Sequence, residues 1–77
     1  MDIPFDAELD ARGLLCPIPI LKTRFALDEL SSGEVLKVLS TDAGSTRDME
    51  AFARQTGHEL LASGADDDVY VFYLRKA

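Results

Sequence analysis

The chain is 77 residues long, 47% hydrophobic and 29% charged, with 14 acidic against 8 basic side chains and a net charge of −6. That length makes a single domain, 1–77, with a thin core, and the composition is that of a folded globular chain rather than a disordered one. The acidic balance argues against nonspecific nucleic-acid binding, which needs a basic footprint to displace counterions from phosphate.

Residues 5–11 alternate, with Phe5, Ala7, Leu9 and Ala11 on one face and Asp6, Glu8 and Asp10 on the other. Period two with polar partners predicts a half-buried strand, broken at Arg12-Gly13. Pro17 and Pro19 suit the first turn of a helix, where amide hydrogens have no acceptor within the helix. Good helix formers follow without Gly or Pro as far as Leu30. The expected helix spans about 17–30 and stops at Ser31-Ser32-Gly33.

Residues 34–40 (EVLKVLS) are short and rich in Val and Leu, which predicts a second strand. After the polar turn 42–45, a second helix is expected over about 45–56. Met49, Phe52 and Ala53 form its apolar stripe, Ser45 or Thr46 its cap, and Gly57 its stop. Residues 58–63 read as a third short strand and 64–68 as a turn with three aspartates. The run 69–74 (VYVFYL) is the strongest strand signal in the chain. The last two strands are close enough to form a hairpin.

The order β-α-β-α-β-β, with right-handed crossovers, predicts a two-layer α/β sandwich. Its sheet is four-stranded and mixed, with both helices on one face. In the first helix, Ile20, Thr23, Leu27 and Leu30 are expected to face the sheet. Ile18, Leu21 and Phe25, with Lys22 among them, make a second stripe that a two-layer domain cannot bury. They are expected to be partly exposed and to form a partner-docking patch. The last strand carries a similar surplus, with Val69, Val71 and Tyr73 on one face and Tyr70, Phe72 and Leu74 on the other. The face without helices is then open, self-associated or covered by a partner, or simply tolerates surface aromatics.

A lone cysteine cannot close an intramolecular disulfide, which excludes a stapled secreted mini-protein. One Cys, one His and no repeating carboxylate pattern predict no metal site, and no cofactor is expected. No apolar run reaches the roughly 18 residues of a membrane span. The N-terminal segment MDIPFDAELDA lacks the basic-then-apolar order of a signal peptide. The expected location is the cytoplasm, where a free thiol survives.

The informative stretch is Gly13-Leu14-Leu15-Cys16-Pro17-Ile18-Pro19. Cys16 is expected at the N-cap of the first helix, where the dipole and free amide hydrogens favour a thiolate. Pro17 and Pro19 fix the turn, and the Ile18 N–H is left as a donor to the sulfur. Arg12, Lys22 and Arg24 are near in sequence, and any that reached the sulfur would favour the thiolate further. The plain alternative is a small buried structural cysteine. Physical reasoning alone leaves the two readings level, although cysteine is a poor capping residue.

Leu9-Asp10 followed by Gly13-Leu14-x-Cys16-Pro17-x-Pro19 resembles the signature of the TusA/SirA-type sulfur carriers. The block Asp42 to Asp48 resembles that family's D-P-x-x-x-x-D segment, with Ala43 in place of the usual proline. Gly57-His58-Glu59-Leu60 and Tyr73-Leu74-Arg75-Lys76 also fit. The resemblance implies a sulfurtransferase or sulfur carrier that holds sulfane sulfur as a persulfide on Cys16. It implies a cysteine desulfurase or rhodanese-like protein as donor and a downstream protein as acceptor, with no direct nucleic-acid or membrane partner. The implied destinations are 2-thiouridine formation in tRNA, molybdenum-cofactor maturation or sulfur oxidation. Pro17, Ile18, Pro19 and Arg47 are then expected to support the thiolate or persulfide, Arg47 by meeting an anionic persulfide or a partner's acidic group. The loss of the proline at Ala43 is expected to loosen the loop before the second helix. Two other classes stay open at this point, a noncatalytic interaction module with a structural Cys16 and a peroxide-sensing thiol. His58 reads as a structural or surface residue, and the Asp66-Asp67-Asp68 cluster as a solvated turn.

Overall fold

In a computed structural model, which describes residues 3–77, the chain runs β1 (Ala7–Ala11), α1 (Ile18–Asp28), β2 (Val35–Ser40), α2 (Ser45–Thr56), β3 (Glu59–Asp66) and β4 (Val69–Arg75). Met1 and Asp2, the first residues of the segment read above against a signal peptide, lie outside the described residues. The strands form one sheet in the order β1-β2-β4-β3. β1 and β2 are parallel, whereas β4 is antiparallel to both β2 and β3. The expected element order and the mixed four-stranded sheet are both present.

The core lies between the sheet and the helices. Leu36 and Val38 of β2 and Phe72 and Leu74 of β4 meet Leu27 of α1 and Met49 and Phe52 of α2. Period two in the strands and period 3.6 in the helices deliver these side chains to one layer. On α1, Thr23 and Leu27 are fully buried and Ile20 packs against the core, as does Leu30 just beyond the helix. The buried Thr23 hydroxyl donates to the Pro19 carbonyl at 2.7 Å, so it leaves no unpaired polar group.

Several element ends differ from expectation. α1 begins at Ile18 with Pro17 at the N-cap position. It ends at Asp28, where the Glu29 and Leu30 amides donate back three residues, to Ala26 and Leu27, and tighten the last turn. α2 has Gly44 at its N-cap and no side-chain cap. The Ser45 hydroxyl is instead buried against that of Ser40, with the two oxygens 2.5 Å apart. Gly57 does end α2 in the left-handed conformation, at φ 82°, which glycine adopts without steric cost. β3 extends to Asp66, so the hairpin turn is Asp67-Asp68 rather than 64–68. Pairing with the long β4 recruits Ala65 and Asp66, which carry no strand signal of their own.

The sheet face away from the helices is not bare. Strand β1 begins only at Ala7, so Phe5 escapes the alternation that would have put it with Ala7 and Leu9. Its ring lies 6.3 Å from that of Tyr73, and the Lys37 ammonium stands 5.2 Å from the Phe5 ring centroid. Tyr73 is buried to 2% exposure on this helix-free face.

Candidate functional site

The parallel pairing of β1 and β2 places the C-terminal ends of both strands, and hence the starts of both helices, on one rim of the sheet. The two connections are tied together, since the Gly13 amide donates to the Thr41 hydroxyl at 2.9 Å. Despite Ala43, the second connection is closed by hydrogen bonds. The Ser45 amide donates to the Asp42 carbonyl at 3.0 Å, and the Asp42 amide reaches the Ser40 hydroxyl at 3.3 Å.

Cys16 is exposed on this rim, and its bond to Pro17 is cis. Its thiol donates to the Asp48 carboxylate on the first turn of α2, with the atoms 2.9 Å apart. That hydrogen bond, then burial, then the charges of Asp48 and Asp42 push the Cys16 thiol above its ordinary value. A carboxylate facing the sulfur disfavours a second negative charge there. The expected depressed pKa is therefore corrected. The N-cap position belongs to Pro17, and the Ile18 N–H donates to the Leu15 carbonyl at 2.9 Å instead of to the sulfur. Arg12 is engaged with Asp10, with both of its contacts to the carboxylate at 2.9 Å.

Behind the thiol, a cavity of about 240 Å³ runs between the helices, lined by Cys16, Pro17, Ile20, Arg24, Asp48, Ala51, Phe52 and Gln55. Spacings of three and four bring Ile20 and Arg24 of α1, and Asp48, Ala51, Phe52 and Gln55 of α2, onto facing stripes. The Arg24 guanidinium lies 5.8 Å from the Phe52 ring centroid. Arg47, expected near the sulfur, is exposed and is not among the lining residues. Sequence reasoning missed Asp48 as the residue against the sulfur, and Arg24, Phe52 and Gln55 as cavity walls. The helical spacing of those walls was the available signal.

Pro19 is buried in the first turn of α1. Ile18, Leu21 and Phe25 are 39%, 44% and 65% exposed, and Leu15 joins them at 72%. Lys22 is also exposed. The second stripe of α1 is thus uncovered beside the cysteine. His58 is half-buried against Phe52, with ring centroids 5.9 Å apart. Its Nδ1 accepts from the Ala77 amide at 3.0 Å, which is a structural role.

Cys16, Asp42 and Asp48 bring a sulfur and two carboxylates within 4.8 Å of one another. A structural zinc site takes four ligands, mostly Cys and His, and we assign no ion to these three. No helix among the described residues is long and apolar enough to cross a membrane.

The family profile described as "Sulfurtransferase TusA" matches residues 7–76. The chain is 49% identical over 73 residues to a sulfur carrier protein TusA of Allochromatium vinosum, covering 95% of this chain and 96% of that one. It is 42% identical over 71 residues to a putative sulfur carrier protein of Bacillus subtilis, covering 92% and 95% of the two chains. The crystal structure of a SirA-like protein from Desulfitobacterium hafniense superimposes with a TM-score of 0.80 at 28% identity, covering 91% of this chain and 96% of that one. By profile, by sequence and by architecture, the chain belongs to the TusA family of sulfurtransferases.

Proposed function

We propose that the protein is a small cytoplasmic carrier that accepts sulfane sulfur as a persulfide on Cys16 and relays it to an acceptor. The observation that carries this reading is the position of Cys16. It is an exposed thiol on the rim where both helices begin, lining the cavity between them. The relatives' names as sulfur carriers support the class.

The thiolate is the nucleophile. Cys16 releases its proton to solvent and attacks the outer sulfur of a donor persulfide. The new S–S bond forms at Cys16 as the donor's S–S bond breaks. The electron pair leaves on the donor's thiolate, which takes a proton back. The sulfane sulfur changes hands without a change in oxidation state. An acceptor thiolate, or an enzyme-held substrate, then takes it by the same exchange. The chain has no second cysteine with which to collapse its own persulfide into an internal disulfide, which suits a carrier rather than a reductase.

In this reading the donor is a cysteine desulfurase or a rhodanese-like protein. The acceptor serves tRNA 2-thiouridine formation, molybdenum-cofactor maturation or sulfur oxidation, and neither nucleic acid nor membrane is a direct partner. Pro17 and Pro19 hold the turn that presents Cys16. Ile18, Leu21, Lys22 and Phe25 dock the partner, and Arg47 meets a partner's acidic group.

Intact-protein mass spectrometry tests the reading. Wild type and Cys16→Ser are incubated with a cysteine desulfurase plus cysteine, and separately with a rhodanese plus thiosulfate. One sulfur atom gained by wild type alone, and removed by dithiothreitol, is the expected result. No gain from either donor would move the assignment to an interaction module.

A further inference from the structure

The thiol that has to act as a nucleophile points at a carboxylate. Of the charged side chains around Cys16, Asp48 comes from α2, Asp42 from the β2–α2 connection, and Arg24 from the α1 wall of the cavity. The Cys16 thiol donates to Asp48 at 2.9 Å, and reactive atoms of Cys16, Asp42 and Asp48 lie within 4.8 Å of one another. Arg24 stands over Phe52, and Arg47, the neighbour of Asp48, is exposed. No ion pair of Asp42 or Asp48 with a basic side chain is present among the described residues; the ion pairs formed are those of Arg12, Lys37, Arg75 and Lys76. Among the described residues, neither carboxylate is therefore ion-paired where it meets the sulfur.

We propose that Asp48, together with Asp42, holds Cys16 as the protonated thiol in the free carrier, and that a docking partner opens it by presenting a basic side chain to this carboxylate pair. The proposal rests on the carrier reading and adds a condition to it. A lysine or arginine brought to Asp48 competes for the oxygen that now accepts the thiol proton. The same cation lies close enough to favour the thiolate. The proton passes to solvent water, and the sulfur becomes nucleophilic only when a partner is in place. A freely diffusing thiolate would be oxidised and alkylated indiscriminately, and the pair of aspartates suppresses it. Asp48 acts here as a positioning residue, since it sets the protonation of the reacting atom without bonding to the transferred sulfur. The partner chemistry that fits is a basic side chain flanked by an apolar surface, because the uncovered Ile18, Leu21 and Phe25 lie on the helix that Cys16 precedes.

The test is the pH dependence of alkylation. Reduced wild type, Asp48→Asn, Asp48→Glu and Asp42→Asn are treated with iodoacetamide from about pH 6 to about pH 11, and the products are followed by intact mass. Asp48→Asn is expected to move the profile to lower pH and to react about three to ten times faster than wild type near neutral pH. Asp42→Asn should give a smaller move in the same direction, and Asp48→Glu should keep the wild-type profile. A tetralysine peptide at low salt should accelerate alkylation of wild type more than that of Asp48→Asn, which keeps only Asp42 to meet the cation. An Asp48→Asn profile that overlies wild type or moves to higher pH overturns the proposal, and so does a wild type indifferent to the peptide. Should Asp48→Asn lose its circular-dichroism spectrum, Asp42→Asn and the peptide decide the matter alone. Alkylation reads the thiol itself, so this test can fail while persulfide loading succeeds, and the reverse.

Discussion

Ser40, the last residue of β2, and Ser45, the first of α2, face each other in the core with their hydroxyl oxygens 2.5 Å apart. Both residues are buried. This bond closes the connection that carries Asp42 past the cysteine. Ser45→Ala leaves the Ser40 hydroxyl with only its 3.3 Å contact to the Asp42 amide, and a cost of about 1–2 kcal/mol is expected from the lost buried partner. The double variant with Ser40→Ala should cost less than the sum of the two singles, because neither serine hydroxyl is then left without the other. Urea denaturation of the four proteins measures the coupling.

If the exposed stripe of α1 serves the proposed docking, docking and folding can be separated by mutation. Leu21→Glu with Phe25→Glu replaces two side chains that are 44% and 65% exposed. Each should change stability by no more than about 0.5 kcal/mol. Sulfur receipt from a protein donor should fall about tenfold or more, as for a loss of apolar anchors. Equal unfolding midpoints with a collapsed loading rate are the expected pair of results, and an unfolded double variant would return the stripe to the core.

His58 makes stability depend on pH near neutrality. Burial, then the neighbouring Lys76 charge, hold its pKa below the ordinary 6.5. Neutral Nδ1 accepts the Ala77 amide hydrogen, and the folded state resists the proton that the unfolded chain takes up. The contribution is full above the ordinary value and is lost as pH falls through it to the lower folded value. The urea midpoint of wild type should therefore drop from pH 7.5 to pH 5.5, by a modest amount. His58→Gln, which keeps an acceptor for the amide and does not titrate, should flatten that part of the profile.

The architecture was legible because periodicity and crossover rules act at long range through few choices. Two βα units sharing a parallel strand pair put both helix starts on one rim, which predicts that the Asp42–Asp48 block lies near Cys16. The buried and exposed stripes of α1 were legible for the same reason. What escaped was local. One helix position, about 100° of rotation, decides whether Arg47 or Asp48 meets the sulfur; the Met49-Phe52 stripe carries that phase, since Asp48 stands four residues before the buried Phe52. The cap shifted because the Ile18 amide found the Leu15 carbonyl, which starts α1 beyond Cys16. The Ser45 hydroxyl was read as a cap and instead found Ser40, a partner visible only once β2 and α2 are packed. Phe5 fitted the alternation of β1 in sequence, yet it lies ahead of the strand and turns onto Tyr73.

The position of Cys16 on the surface has one more consequence. Cys16 is exposed in the isolated molecule, so the protein supplies only half of a reaction vessel. A terminal sulfur carried there would travel unshielded, and dryness around the exchange has to come from the surface pressed against it.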